Sequence, residues 1–441
     1  MPMNRRTFLG LGAGAAATGT GAWLALVRDR AQQSADGPTT TTTSLATSAS
    51  GSASLSKVLV VVQLSGGNDG LNTVVPVTGR YHDLRPTLGL ADADLVALDG
   101  LAGYGLHPSL AALAPVWAAG ELAVVSGIGY PDNTRSHFTA LDSWWTATPG
   151  QPSTTGWLGR WLDATAPDGE PDPLRAVTIG RGSPALRADR SPSTAIIDPS
   201  GFALATPRGV DADGLAAAFL GCATPVTGQD LRAAAQRSVT TTFDVLGRVA
   251  DADLGTVGPA FQRPAPTGGG GGGGGGAEVA GEYVAGDVTT GLSAAANLIG
   301  HDLGTRVILV DAGGFDTHAN QADTHQRLLA DVGGGVAAFQ RAVEASGRAD
   351  DVVLVTTSEF GRRASENGSG TDHGNGGTSF VVGPGVRGAL VGSPDLANLD
   401  DQGDVTSAID VRSLYAAALA WLGGPTDEVL GKTYDTYDLL R

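Results

Sequence analysis

The sequence predicts an α/β fold: a doubly wound, mostly parallel sheet flanked by helices, with an irregular insertion in its middle. Three observations lead there. Residues 58–64, VLVVVQL, form a Val-rich apolar run broken only by Gln63 and stopped by Ser65-Gly66, the pattern of a strand buried on both faces. Similar runs return in TRVILVDAGG and DDVVLVTTSEF, with a long helical pattern between them. The alternation of strand, helix and strand implies right-handed crossovers. A chain of 441 residues is long enough for one large domain of this kind or two average ones.

The first strand covers 58–64. In HPSLAALAPVWAAGELAVVSGIGYP, Leu110, Leu113, Val116 and Trp117 keep helical spacing, Pro115 suggests a kink, Gly120 stops the helix, and a second strand follows at 122–126. The polar loop Pro131-Asp132-Asn133-Thr134 leads into RSHFTALDSWWTA, where Phe138, Leu141 and Trp145 recur at helical spacing, with Asn133 or Thr134 as the N-cap. Between 150 and 300 the order is looser. Short strands at AVTIG and STAIID alternate with Pro and Gly loops, and helical stretches follow around 212–221 and 229–250. The nine glycines from Gly268 to Gly276 read as a flexible surface insertion, near 264–280. Regular order resumes with the strand in TRVILVDAGGFDTH, a helix over 323–346, strands in DDVVLVTTSEF and TSFVVGPGV, and a last helix at 411–422. Trp144, Trp145, Trp157 and Trp161 sit at helical spacing and read first as core.

The N-terminus is different in kind. Arg5-Arg6, then Thr7-Phe8-Leu9 and a weakly apolar Gly/Ala-rich run to Val27, resemble a twin-arginine export signal over residues 1–31. The run is less apolar than a membrane span, and no clear small-x-small cleavage site follows, so removal and retention as an anchor both stay open. Residues 32–56, rich in Thr, Ser and Ala, form a polar linker with too little apolar content to pack. The expected partner is the twin-arginine export machinery, the expected location periplasmic, cell-envelope or extracellular, with membrane contact only through an uncleaved N-terminal segment. The formal net charge is -17, and Lys57 and Lys432 are the two lysines, which argues against a nucleic-acid partner. A single cysteine, Cys222, excludes an intrachain disulfide and is given no role.

In an open parallel sheet, ligands bind beyond the carboxyl ends of the strands. Polar residues gather at those positions: Asn68 and Asp69 after the first strand; Asp311, Asp316 and His318 after the strand at 306; Glu359 after the strand at 352; Asp372 and His373 before the strand at 378. Arg135, Ser136 and His137 open the helix after the strand at 122. Carboxylates and imidazoles at one edge suit a divalent cation of the zinc or manganese type, one or two ions. Each residue also has a plainer explanation. Asp69 fits a Gly-Asn-Asp turn, Asp316 a helix cap, and Glu359 an ion pair with Arg362 or Arg363. His325, His82 and His301 read as exposed. Ser136, at a helix start, is placed to attack a phosphoryl or sulfuryl centre with Arg135 steadying the charge, or is an ordinary N-terminal serine.

The twin-arginine start, VVVQLSGGNDGLNTVVP, the stretch LHPSLAALAPVWAAGELAVVSGIGYPDNTRSHFTALDSWW, GFDTHANQ, TTSEFGRR and TDHGNGG together resemble the exported family of unknown function numbered 1501. That family is similar to a branch of the alkaline phosphatase and sulfatase superfamily. The resemblance implies an alkaline phosphatase-like fold and a metal-dependent hydrolase acting on phosphate or sulfate esters. It implies Ser136 as nucleophile, a first metal on Asp316, His318 and His373, and a second on Asp69, Glu359 and Ser136. The superfamily's acid-His pair is here Glu359-Phe360, so one imidazole of the second site is missing and Asp372 is the residue at hand to replace it. A noncatalytic binding or assembly protein that keeps the fold and one metal is the alternative, and a third reading makes His137 the working residue.

Overall fold

The computed structural model describes residues 57–131, 133–168, 171–204, 206–222, 231–250, 252–256, 259–261 and 287–441. The signal segment, the Thr/Ser/Ala linker and the Gly-rich insertion expected from the sequence lie outside these. Backbone proximity separates Asp198–Gly255 from a second unit made of Leu55–Ile197 and Thr256–Arg441.

Among the described residues, the main sheet of the larger unit has nine strands: β1 (Val58–Leu64), β2 (Leu122–Gly129), β3 (Ala176–Ile179), β4 (Thr194–Ile196), β5 (Val307–Ala312), β6 (Val352–Thr357), β7 (Gly377–Val382), β8 (Leu390–Val391) and β9 (Ile409–Asp410). Their order is β8-β2-β7-β6-β1-β5-β3-β4, with β9 also on β2. β1 lies between two parallel neighbours, Val60 opposite Ile308 on β5 and Leu354 on β6. All seven of its residues are buried, as its near-continuous apolar run requires. The sheet is mixed and mostly parallel. β7 is the exception, antiparallel to both β2 and β6, so its first residue stands at the same edge as the last residues of its neighbours. A small antiparallel sheet of Val74–Pro76, Val96–Ala97 and Tyr104–Leu106 stands apart.

Seven helices of eight residues or more are described: α1 (His137–Thr146), α2 (Trp157–Ala164), α3 (Ala212–Cys222), α4 (Leu231–Ala250), α5 (Val288–Gly300), α6 (Gln321–Ala345) and α7 (Val411–Leu422). None is both long and apolar enough to cross a membrane. α1, α2 and α7 bury Trp144, Trp157, Trp161 and Leu414 with Leu59, Val61, Val125 and Val355 of the sheet, forming the main core. Trp157 stacks on Tyr415 with ring centroids 4.1 Å apart. α5 packs closely on β5, where a Cβ at Gly291 would come within 2.3 Å of Val310. In the smaller unit, α3 and α4 share a cluster of Ala216, Phe243 and Leu246. Cys222 is exposed.

Three local expectations are corrected. A 3-10 turn, Pro108–Leu113, precedes a separate short helix, Ala114–Ala118, and Pro115 sits in the first turn of that helix, where a missing N–H costs nothing. α1 begins at His137 with Ser136 as its N-cap, two to three residues later than expected. Its buried stripe is Ala140, Ser143, Trp144 and Thr146, which leaves Phe138 89% exposed.

Candidate metal centre

The polar residues expected to gather do so at one edge of the sheet. β5 runs into the loop carrying Asp316 and His318, β6 into the loop carrying Glu359, Asp372 and His373, and β2 into the start of α1 at His137. The turn after β1 passes beneath these loops. Gly66 and Gly67 have φ of 122° and 81°, and a Cβ would lie 2.3 Å from the Asp316 nitrogen at Gly66 and 2.3 Å from the Phe360 ring at Gly67. Only glycine accepts both the left-handed backbone and that close approach. The Gly66 N–H then donates to Glu359 Oε1 at 2.8 Å.

Three imidazoles converge on one carboxylate. His373 Nε2 lies 2.9 Å from His318 Nε2 and 3.0 Å from Asp316 Oδ1. His318 Nε2 lies 3.0 Å from the same oxygen, and His137 Nε2 lies 3.4 Å from Asp316 Oδ2. The far side of each ring is held. His373 Nδ1 is 2.8 Å from the Arg135 carbonyl oxygen, His318 Nδ1 3.2 Å from Asp372 Oδ1, and His137 Nδ1 2.9 Å from Glu359 Oε1. A carbonyl or carboxylate oxygen only accepts, so each Nδ1 carries the proton and turns its Nε2 toward Asp316. Two Nε2 atoms 2.9 Å apart repel unless a proton or a cation sits with them. Among the described residues, His137, Asp316 and His373 form a group whose ligand atoms lie within 4.8 Å of one another. His318 Nε2 stands beside His373 and Asp316 by the distances above, without being part of that mutual group. Imidazoles and a carboxylate with hydrogen-bond acceptors behind them are a donor set that suits a divalent metal ion.

The electrostatics agree. Partial burial raises the Asp316 carboxyl, but hydrogen bonds from His137, His373 and Arg362 outweigh it and hold that pKa far below the usual range. His137 is raised to about 9 by its bonds to Asp316 and Glu359, against the opposing effect of burial. Asp372 is lowered by its bond from Asn367 and then by His318.

The remaining expected residues are placed otherwise. Asp69 is fully buried, and its carboxylate accepts from Arg85 Nη1 at 2.5 Å, from Gln321 Nε2, and from the Asn72 N–H at 3.3 Å. Burial opposes its ionisation, but the Arg85 charge prevails and its pKa is lowered. The Arg135 guanidinium points to Asp404 and Asp400, 2.6 Å from Asp404 Oδ2 through Nε, and only its backbone carbonyl serves the cluster. Ser136 is exposed and its side chain makes no capping hydrogen bond. Glu359 is buried and pairs with His137 instead of Arg362 or Arg363, while its Oε2 has no partner.

Arg362 was not singled out as a site residue. Its buried guanidinium donates to Gly67 O at 2.7 Å, Thr371 O at 2.9 Å, Phe315 O at 3.0 Å, Gly66 O, and Asp316 Oδ1 at 2.7 Å, so it draws three loops together. Its sequence context, TTSEFGRR, gives a basic turn and no sign of these partners. Phe360, also fully buried, packs its ring 5.0 Å from His137 and 4.6 Å from His373. His325, expected on the surface, is buried with Nε2 2.9 Å from Asn68 Oδ1, and burial pushes it down to about 4.

Residues 290–436 match the family described as protein of unknown function (DUF1501). That stretch holds Asp316, His318, Glu359, Asp372 and His373, and leaves out Asp69, Ser136 and His137. No curated protein matches the chain. Among solved structures, the chain is similar to a protein in the alkaline phosphatase superfamily from Vibrio parahaemolyticus, at 10% identity over 96% of this chain and 80% of that one, with a TM-score of 0.35. It is also similar to the lipoteichoic acid synthase LtaP from Listeria monocytogenes (10% identity, 87% and 76% covered, TM-score 0.31). A third is the phosphonate monoester hydrolase from Silicibacter pomeroyi (14% identity, 86% and 77% covered, TM-score 0.30).

Proposed function

We propose that this protein is an exported, metal-dependent hydrolase of phosphate or sulfate esters. The observation that carries the metal reading is the convergence of three Nδ1-anchored imidazoles on Asp316, which needs a cation or protons to be stable. Asp316, His318, His373 and His137 would hold a divalent ion of the zinc or manganese type. When bound, such an ion supplies Lewis-acid polarisation of an ester oxygen. The chain's own contribution is to orient each ring from behind through the Arg135 carbonyl, Asp372 and Glu359. The Ser136 hydroxyl, exposed at the N-terminus of a ten-residue helix and one residue from His137, is the nucleophile of this reading. Backbone N–H groups of that first turn favour the negative charge that develops there. The ester class rests on the family resemblance of the sequence, and export through the twin-arginine machinery to the periplasm, cell envelope or exterior rests on Arg5-Arg6.

One observation favours a second reading. Phe360 fills the side of the cluster between His137 and His373, and Asp69 is committed to Arg85, which supports one ion over two and suits a noncatalytic cation-binding protein. Metal analysis of the purified protein, followed by a screen of aryl phosphates and sulfates, separates the two. Bound metal with hydrolysis lost in Ser136→Ala supports the hydrolase. Activity kept in Ser136→Ala and lost in His137→Ala moves the working role to His137. Bound metal without turnover supports the binding protein, and a metal-free protein indifferent to chelator sinks both.

A further inference from the structure

We propose that Asp69 is a positioning residue that fixes the loop delivering His373, and not a metal ligand; the metal arm of this inference rests on the reading above. The loop between β6 and β7 is long, and a histidine near its end needs a brace to hold a position to within tenths of an ångström. Two buried side chains supply one. Arg85 donates to the carbonyls of Ala364 at 3.0 Å and Arg363 at 2.9 Å, gripping the start of the loop. Gln321, at the start of α6, donates its backbone N–H to Ser369 O at 2.9 Å and accepts from Thr371 Oγ1 at 2.6 Å, gripping the end, two residues before His373. Asp69 is what orients both. Its Oδ2 accepts from Arg85 and from Gln321, and all four residues, Thr371 included, are at most 1% exposed. A carboxylate whose oxygens already accept from a guanidinium, an amide and a backbone N–H has little left for an ion. The brace also explains why a buried charge is kept here: the Arg85 hydrogens that donate to the loop, and the Gln321 Oε1 that accepts from it, depend on the carboxylate to orient their groups.

The test compares Asp69→Asn, Thr371→Val and His373→Ala with the unchanged protein. Zinc stoichiometry and affinity are read by competition with a chromophoric chelator, the ligand set by the visible spectrum of the cobalt-loaded protein, and the loop by amide hydrogen exchange. The unchanged protein is expected to take one ion. Asp69→Asn and Thr371→Val should keep that stoichiometry and the cobalt band positions, while affinity falls about 10-fold, as for other outer-shell losses. Exchange of amides 367–376 should quicken by a comparable factor, about 10-fold. His373→Ala should abolish binding. If Asp69→Asn fails to fold because Arg85 is left unpaired, Thr371→Val carries the same comparison. Two ions in the unchanged protein falling to one in Asp69→Asn would make Asp69 a ligand and overturn the inference. So would unchanged affinity and exchange in the folded variants. An unchanged protein that binds no zinc refutes the metal reading alone, and the exchange arm still decides the brace.

Discussion

Raising the pH of the metal-free protein from about 6 to about 10 should weaken it by discharging His137. Protonated, this ring donates from both nitrogens, to Glu359 Oε1 at 2.9 Å and toward Asp316 Oδ2 at 3.4 Å, and so ties the start of α1 to the loops after β5 and β6. Those two bonds raise its pKa from 6.5 to about 9. Because the folded value lies above the unfolded one, the contribution is fully present below 6.5 and is lost as the pH rises through about 9. At about 1.4 kcal/mol per pH unit the interval corresponds to roughly 3 kcal/mol. The ring is 30% exposed and the Asp316 side chain 47% exposed, so solvent screening reduces the expected loss to about 1–2 kcal/mol. Urea unfolding at a series of pH values measures it, and imidazole NMR follows the proton directly. His137→Gln should flatten the profile. A His137 midpoint at or below 6.5, or a variant with the same pH profile as the unchanged protein, would refute the reasoning. A cation at Nε2 competes with the same proton, so zinc affinity should move oppositely and rise with pH up to about 9.

Two substitutions probe how the loops are gathered. Arg362→Met leaves four buried carbonyls and the Asp316 carboxylate without their donor, and should destabilise the fold by about 4 kcal/mol in urea unfolding, with Arg362→Lys recovering about half. A loss under about 1 kcal/mol in Arg362→Met would mean that water replaces the guanidinium. Gly66→Ala places a Cβ against the Asp316 nitrogen in a backbone region that L residues avoid, and should cost more than about 2 kcal/mol while weakening zinc binding. Wild-type affinity in that variant would show that Asp316 tolerates the displacement.

The elements were legible because they are local. A strand buried on both faces is apolar at nearly every position, and VLVVVQL, VILVDA, VVLVTT and the apolar run of β2 announce themselves; so do the long helices through their spacing. Asp316, His318, Asp372 and His373 do lie at one edge of the sheet, the last two because β7 runs antiparallel and so begins where β5 and β6 end. What the sequence could not settle is the partner of each polar group, because many of those partners lie far along the chain, up to 296 residues away, and are fixed only when loops from different strands meet. Asp69 and Asp316 are both acids after a β-strand. Arg85 and Gln321 close around the first, whereas three imidazoles open around the second. The same holds for His325, whose place on a helix predicts exposure until Asn68 arrives against it, and for His137 and Ser136, where a helix start two to three residues later than expected decides which side chain faces the cluster. The sequence by itself determined the sheet, its flanking helices and the edge where the polar side chains collect. The tertiary structure alone decided the surroundings of each acid: Asp69 is fully buried among Arg85, Gln321 and Asn72, whereas Asp316, although Arg362 also donates to it, keeps a side chain 47% exposed and facing three imidazoles.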